Sequence, residues 1–229
     1  MKLIHGMLVS TMMLCVFLPQ NIYAYTLREN EENNYETEEF VDELFSSFDD
    51  RPVIHLPDGD YLQGECTIVD AYDESIVYGV YNSETSLNSF SVEEAKMEVI
   101  GIENGDFPVE SIEPRGADVP SQTKIMTPGS HYTSNKYTSK NGWRFSGYLF
   151  RCANGSAGYQ TWRTFVDGGR IGALGDAINQ KNNPNASYGH TLNVGTSFRL
   201  GTVYSWGYGS FCYYTYAPIS GTYYTIDFE

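Results

Sequence analysis

Apolar residues recur at helical spacing in one place early in the chain. Phe40, Val41, Leu44, Phe45 and Phe48 predict a short amphipathic helix over 39–48. The runs that follow read as strands: Val53 to Leu56, Tyr61 to Val69 and Ser75 to Tyr81. Asp58-Gly59 supplies a hairpin turn between the first two. Ser91-Val92-Glu93-Glu94 matches a capping box, so a second short helix starts there. Lys96 to Ile102 either continues that helix or forms another strand.

From Trp143 onward the pattern is β throughout. Trp143 to Cys152 places Trp143, Phe145, Gly147 and Leu149 on one face and Arg144, Ser146, Tyr148 and Phe150 on the other. Strands are predicted over 159–166, 191–194, 197–206, 211–216 and 223–228, with glycine-rich turns between several of them. Ile171 to Ile178 is ambiguous, because its glycines disfavour a helix. The fold class is mainly β: an antiparallel β-sandwich or barrel in the C-terminal half, preceded by a small acidic β-rich (α+β) unit.

Before these elements lies a different pattern. Lys2 is followed by an apolar stretch to Leu18, and Ala24 ends the segment. A charged start, an apolar core and a small exit residue describe a secretory signal peptide over 1–24. The most apolar part, Met7 to Leu18, falls short of the roughly 20 residues that span a bilayer. Cleavage would leave Tyr25 at the amino end. No later segment has transmembrane length, so the product is expected to be secreted and extracellular. Residues 25–38, rich in Glu and Asn, read as a disordered acidic tract with little to bury.

Charge then divides the chain. From Tyr25 to Pro114 there are 24 acids and three bases, net −21; from Arg115 to Glu229 there are ten bases and five acids, net +5. All three Trp and 16 of the 22 Gly fall after the same point, so composition marks a boundary as well. The expected organisation is an acidic β-rich unit or pro-segment over 39–111, a linker over 112–127, and an aromatic-rich β domain over 128–229. The formal net charge of −15 argues against nucleic acid as a partner.

Three cysteines remain after the leader: Cys66, Cys152 and Cys212. Cys152 and Cys212 share the second half and an oxidising compartment, which favours a disulfide between them and leaves Cys66 over; three buried thiols are the alternative. Catalytic motifs are missing: there is no phosphate loop, dinucleotide fingerprint, H-E-x-x-H or G-x-S-x-G. His131, Asp167, His190 and a cysteine are the best set that can be assembled, and nothing local activates a nucleophile among them. Asp49-Asp50 and Asp58-Gly59-Asp60 lack calcium-loop spacing and read as solvated turn carboxylates. No cofactor or metal is expected.

The aromatic residues are the remaining signal. Tyr213-Tyr214 and Tyr223-Tyr224 are adjacent pairs, so one ring of each should face outward on a strand. With Trp143 and Trp206 they form the expected binding surface, because such rings offer large contact area with few rotors. The leading expectation is a non-enzymatic exported β-protein acting outside the cell as a binding or effector module on a surface, a glycan or a protein. A second reading makes the acidic half a pro-segment masking a cationic antimicrobial or membrane-active toxin. The third is a hydrolase with an unrecognised site.

Overall fold

A computed structural model describes residues 36–107, 120–137, 142–153, 158–165, 170–174, 190–191, 196–202, 208–215 and 223–229. Helix α1 runs through 36–44 and α2 through Val92–Asn104. The strands are β1 Ile54–His55, β2 Tyr61–Gln63, β3 Glu65–Asp70, β4 Val77–Asn82, β5 Gln122–Met126, β6 His131–Thr133 and β7 Gly142–Phe145. They continue with β8 Leu149–Cys152, β9 Gly158–Thr164, β10 Arg170–Leu174, β11 His190–Thr191, β12 Thr196–Thr202, β13 Tyr208–Thr215 and β14 Tyr224–Phe228. The expected leader and the expected disordered tract as far as residue 35 lie outside the described residues. Residues 36–38, assigned to that tract from sequence, already belong to α1. No helix among the described residues is long and apolar enough to cross a membrane.

The protein is mainly β, with two sheets. A six-stranded antiparallel sheet has the order β1-β2-β6-β14-β9-β12. A mixed eight-stranded sheet follows the path β11-β10-β13-β8-β5-β3-β4, with β7 also pairing β13. Among the described residues its one parallel pair is β5 with β8. The barrel expected as one alternative does not form: among the described residues both sheets stay open.

Two segments leave one sheet and enter the other at a glycine-containing corner, where the sequence reads as continuous strand or connector. Tyr61 to Val69 breaks at Gly64, whose φ of 101° suits glycine. Residues before it join the six-stranded sheet and residues after it the eight-stranded one. The stretch 127–130, with Gly129 at φ 83°, makes the same crossing between β5 and β6. The corners touch: the Glu65 amide donates to Ser130 Oγ at 3.1 Å, and the Gly64 amide donates to Ser83 Oγ at 2.9 Å. A Cβ on Gly64 would lie 2.4 Å from Ser130 Oγ and 3.0 Å from its Cα. Gly64→Ala therefore combines a positive-φ penalty of roughly 1–2 kcal/mol with an overpacking cost of roughly 1–3 kcal/mol. A loss of about 2–5 kcal/mol is expected as a lower urea midpoint at constant slope; an unchanged midpoint would contradict the corner geometry.

Strands do not segregate by charge half. β2 pairs β6 and β3 pairs β5, so acidic-half strands are built into both sheets. β5 itself lies inside the stretch read as a linker. Two cores result. One joins residues of both sheets, including Leu62, Ile68, Met126, Phe150, Trp162 and Tyr224. The other gathers Val41, Leu44 and Phe45 beside α1 and Ala95 and Val99 of α2 against Tyr61, Phe165 and Tyr223. Neighbours on one strand separate between them: Tyr61 enters the helical core and Leu62 the other.

Several bases of the second half meet acids of the first. Lys136 lies 3.0 Å from Glu103 and Arg151 lies 2.6 Å from Glu74, while Arg163 pairs with Glu43. These contacts are partly exposed, so each contributes about 0–1 kcal/mol and the buried apolar surface dominates.

Candidate functional site

The binding surface expected from adjacent tyrosines is corrected at β14. Tyr223 and Tyr224 are both buried, at 1% and 0% exposure. Alternation does send the two rings to opposite faces, but both faces of this strand are covered. Tyr224 stacks on Trp162 at 5.7 Å, and Tyr223 packs against Phe40 at 5.7 Å. The helical layer supplied by the acidic half covers the face that would otherwise meet solvent. Trp143 and Tyr214 are in register opposite one another between β7 and β13, and Tyr213 is opposite Arg144. Their side chains, and all of Trp206, lie outside the described residues.

The expected Cys152–Cys212 disulfide is also corrected. Cys66 and Cys152 are buried thiols. Register explains this. Arg151 is opposite Tyr208, where β13 begins, and Phe150 is opposite Gly209, so Cys152 lies past that end of β13. Cys212 is further along β13 from Tyr208, roughly 13 Å at strand rise, beyond the 7 Å that a bridge tolerates. Cys212 is instead opposite Gly172 and Phe145. Cys66, Met126 and Cys152 form one row across β3, β5 and β8. Burial pushes the Cys66 thiol up to about 12, so it is no nucleophile at neutral pH.

Of the assembled catalytic set, the described residues show His131 engaged elsewhere. His131 Nδ1 lies 2.8 Å from Asp227 Oδ1 on the neighbouring strand, and its ring packs on Phe48. Asp167 lies outside the described residues, as does the side chain of His190.

A different cluster occupies the centre. Lys124 stands on β5 between Ile68 and Phe150, at a core-facing position, and is fully buried. Its ammonium reaches from the eight-stranded sheet to the β1–β2 turn of the other sheet. Nζ lies 2.7 Å from Asp58 Oδ2, 2.9 Å from Asp60 Oδ2 and 3.2 Å from the Tyr132 hydroxyl. The Tyr148 ring centroid is 3.8 Å away, within cation–π range. Asp60 is fully buried, accepting the Asn135 amide at 2.7 Å on Oδ1 and the Tyr132 hydroxyl on Oδ2. Tyr132 meets the Tyr224 hydroxyl at 3.3 Å, and that hydroxyl donates to the Ser146 carbonyl at 2.7 Å.

Asp58 and Asp60 are thus corrected from solvated to core groups, with an internal cation in the position expected of solvent, whereas Asp49 and Asp50 are exposed as expected. The cause is the hairpin turn itself. Gly59, at φ 80°, closes it, with the Gly59 amide donating to the Leu56 carbonyl at 2.9 Å. Burial, reinforced by neighbouring Asp60, raises the Asp58 carboxyl above its ordinary value, while Lys124 opposes the rise. Sequence reasoning missed Lys124 because it sits in a stretch read as a linker. The available signal was Asp-x-Asp on a tight hairpin turn, followed much later by one lysine amid Thr, Ile and Met.

A second feature lies at the surface. β4, Val-Tyr-Gly-Val-Tyr-Asn, ends the eight-stranded path and pairs only with β3 among the described residues. Val77, Tyr78 and Val80 are 54%, 52% and 74% exposed, and Tyr72 and Ile76 extend the patch. A shallow cleft of about 160 Å³ adjoins it, lined by Glu65, Thr67, Val80 and Ile125 among others. Together these features define a mainly β protein with a buried ion cluster between its sheets and an apolar sheet edge. Comparison with protein-family models, curated proteins and solved structures gives no match.

Proposed function

We propose that the chain is an exported, non-enzymatic β-protein that acts outside the cell as a binding module, and that β4 is its docking edge. The sharing of one core by both sheets supports reading them as a sandwich, with β4 at its margin. The exposed edge carries the functional reading. Sheet edges in stable proteins are usually blunted by charge, Pro or a covering element. β4 carries no charged residue and no Pro, and it exposes large apolar side chains on a strand whose second edge has no strand partner among the described residues. That chemistry suits an extended segment of a partner protein, which would add a strand and place alternate side chains over Val80 and the adjoining cleft. The interleaving of the halves weighs against excision of the acidic half as a pro-segment.

Val77→Lys/Val80→Lys puts charge on the edge while sparing the cores. The substitutions are expected to leave the unfolding free energy in urea within about 0.5 kcal/mol of wild type, as for exposed positions. Retention of the labelled secreted protein on extracellular protein and glycan arrays should fall at least about tenfold, equivalent to about 1.4 kcal/mol. Equal retention by the variant and wild type would remove β4 from the proposal. Retention of both on glycans alone would contradict a protein partner.

A further inference from the structure

Lys124, Asp58 and Asp60 bring an amine and two carboxyl groups into contact where water is largely excluded. We infer that Lys124 and Asp58 condense spontaneously into an amide bond between Nζ and Cγ, with Asp60 carrying the proton.

The geometry supplies each requirement. A carboxylate oxygen 2.7 Å from Nζ puts its carbon near the roughly 3–3.5 Å separation of a near-attack pair. Holding two reactants in such contact supplies effective concentrations that intermolecular encounter cannot reach. Asp60 lies 2.9 Å from the same nitrogen and is fixed by the Asn135 amide and the Tyr132 hydroxyl, so it is placed to take a proton from the ammonium. Tyr132 and Tyr148 shelter the nitrogen, at 4.7 and 3.8 Å from their ring centroids. Asp58 is the acceptor of the new bond for two reasons. Its side chain is 19% exposed, which gives the released water an exit that fully buried Asp60 lacks. Its burial beside Asp60 also favours the protonated acid, whose hydroxyl is the group that must leave.

The step balances without an oxidant or cofactor. Asp60 carboxylate takes one proton from the Lys124 ammonium. The amine lone pair adds to Cγ of protonated Asp58, forming Nζ–Cγ. A second nitrogen proton passes to the Asp58 hydroxyl, the Cγ–O bond breaks, and one water departs. Asp60 is left holding the first proton. The product is a neutral amide joining the β1–β2 turn of one sheet to β5 of the other.

Mass spectrometry of the secreted protein tests this directly. Trypsin cannot cut after an acylated lysine, and Arg51 precedes Pro52. The digest should therefore contain residues 29–96 joined to residues 116–136, lighter by about 18 Da, one water, than the two peptides combined. Fragmentation should place the link between Lys124 and Asp58. Lys124→Arg and Asp58→Ala should each give the separate peptides. Asp58→Asn should retain the link with loss of ammonia, about 17 Da, because an amide offers the same carbon to the amine. Unlinked peptides from folded wild-type protein would overturn the inference. A link to Asp60 would overturn the roles assigned to the two carboxyl groups.

Discussion

Lys124→Ala is expected to destabilise the protein by about 3–5 kcal/mol, the usual cost of removing one partner from a buried ion pair. The cause is less the lost attraction than what remains. Asp60 is fully buried and Asp58 largely so, and without Nζ two carboxyl groups face each other in the core. Alanine also leaves a cavity between Ile68 and Phe150 and removes the amide inferred above. A control separates charge from packing. In Lys124→Met/Asp58→Asn/Asp60→Asn no charge is left without a partner and most of the volume is kept, so at least half of the lost stability should return. Urea unfolding of the three proteins gives both values. A Lys124→Ala variant within about 1 kcal/mol of wild type would show that the cluster contributes little to the fold.

How much of this was legible beforehand depended on whether the signal was local. The capping box at Ser91 and Glu94 is formed by both side chains, and α2 continues through Lys96–Ile102 to a left-handed Gly105. The Asp58-Gly59 turn joins β1 to β2 as expected, and the β character of the second half holds in its described strands. Periodicity found the α1 stripe because Val41, Leu44 and Phe45 are all buried. What failed was long-range. Tyr223 and Tyr224 alternate as any strand does, yet only the tertiary fold decides whether the second face is covered, and the helices that cover it lie more than 100 residues earlier. Cys152 and Cys212 both sit in strands, but a register difference between β8 and β13 holds them apart. Lys124 was hidden for a related reason: Gln122–Met126 has no alternation to read, since Thr123, Lys124 and Met126 are all buried. A central strand in a mixed sheet loses the polar half of its pattern. The exposed β4 edge was invisible because Val and Tyr signal a strand without saying where in the sheet it lies.

Both cores combine residues of the acidic and basic halves, which makes the halves one folding unit rather than a β domain with a removable acidic segment. Without the acidic half, the helical core keeps Phe165 and Tyr223 and loses Val41, Leu44, Phe45, Val53, Tyr61, Ala95 and Val99. The inter-sheet core loses Ile54, Leu56, Leu62, Cys66 and Ile68. Each large side chain contributes roughly 1.5–3 kcal/mol through burial, so the combined loss exceeds the roughly 5–15 kcal/mol that holds a domain folded. β5 and β6 would also lose β3 and β2, exposing strand edges that promote aggregation. Lys124 would lose both carboxyl partners. The most direct measurement is hydrogen exchange on residues 112–229 produced alone, compared with the same amides in the full chain. Loss of protection throughout β9 and β14, together with loss of the near-ultraviolet aromatic signal, is the expected result. Native-like protection of β9 and β14 in the isolated fragment, lost in one cooperative transition on adding urea, would contradict it.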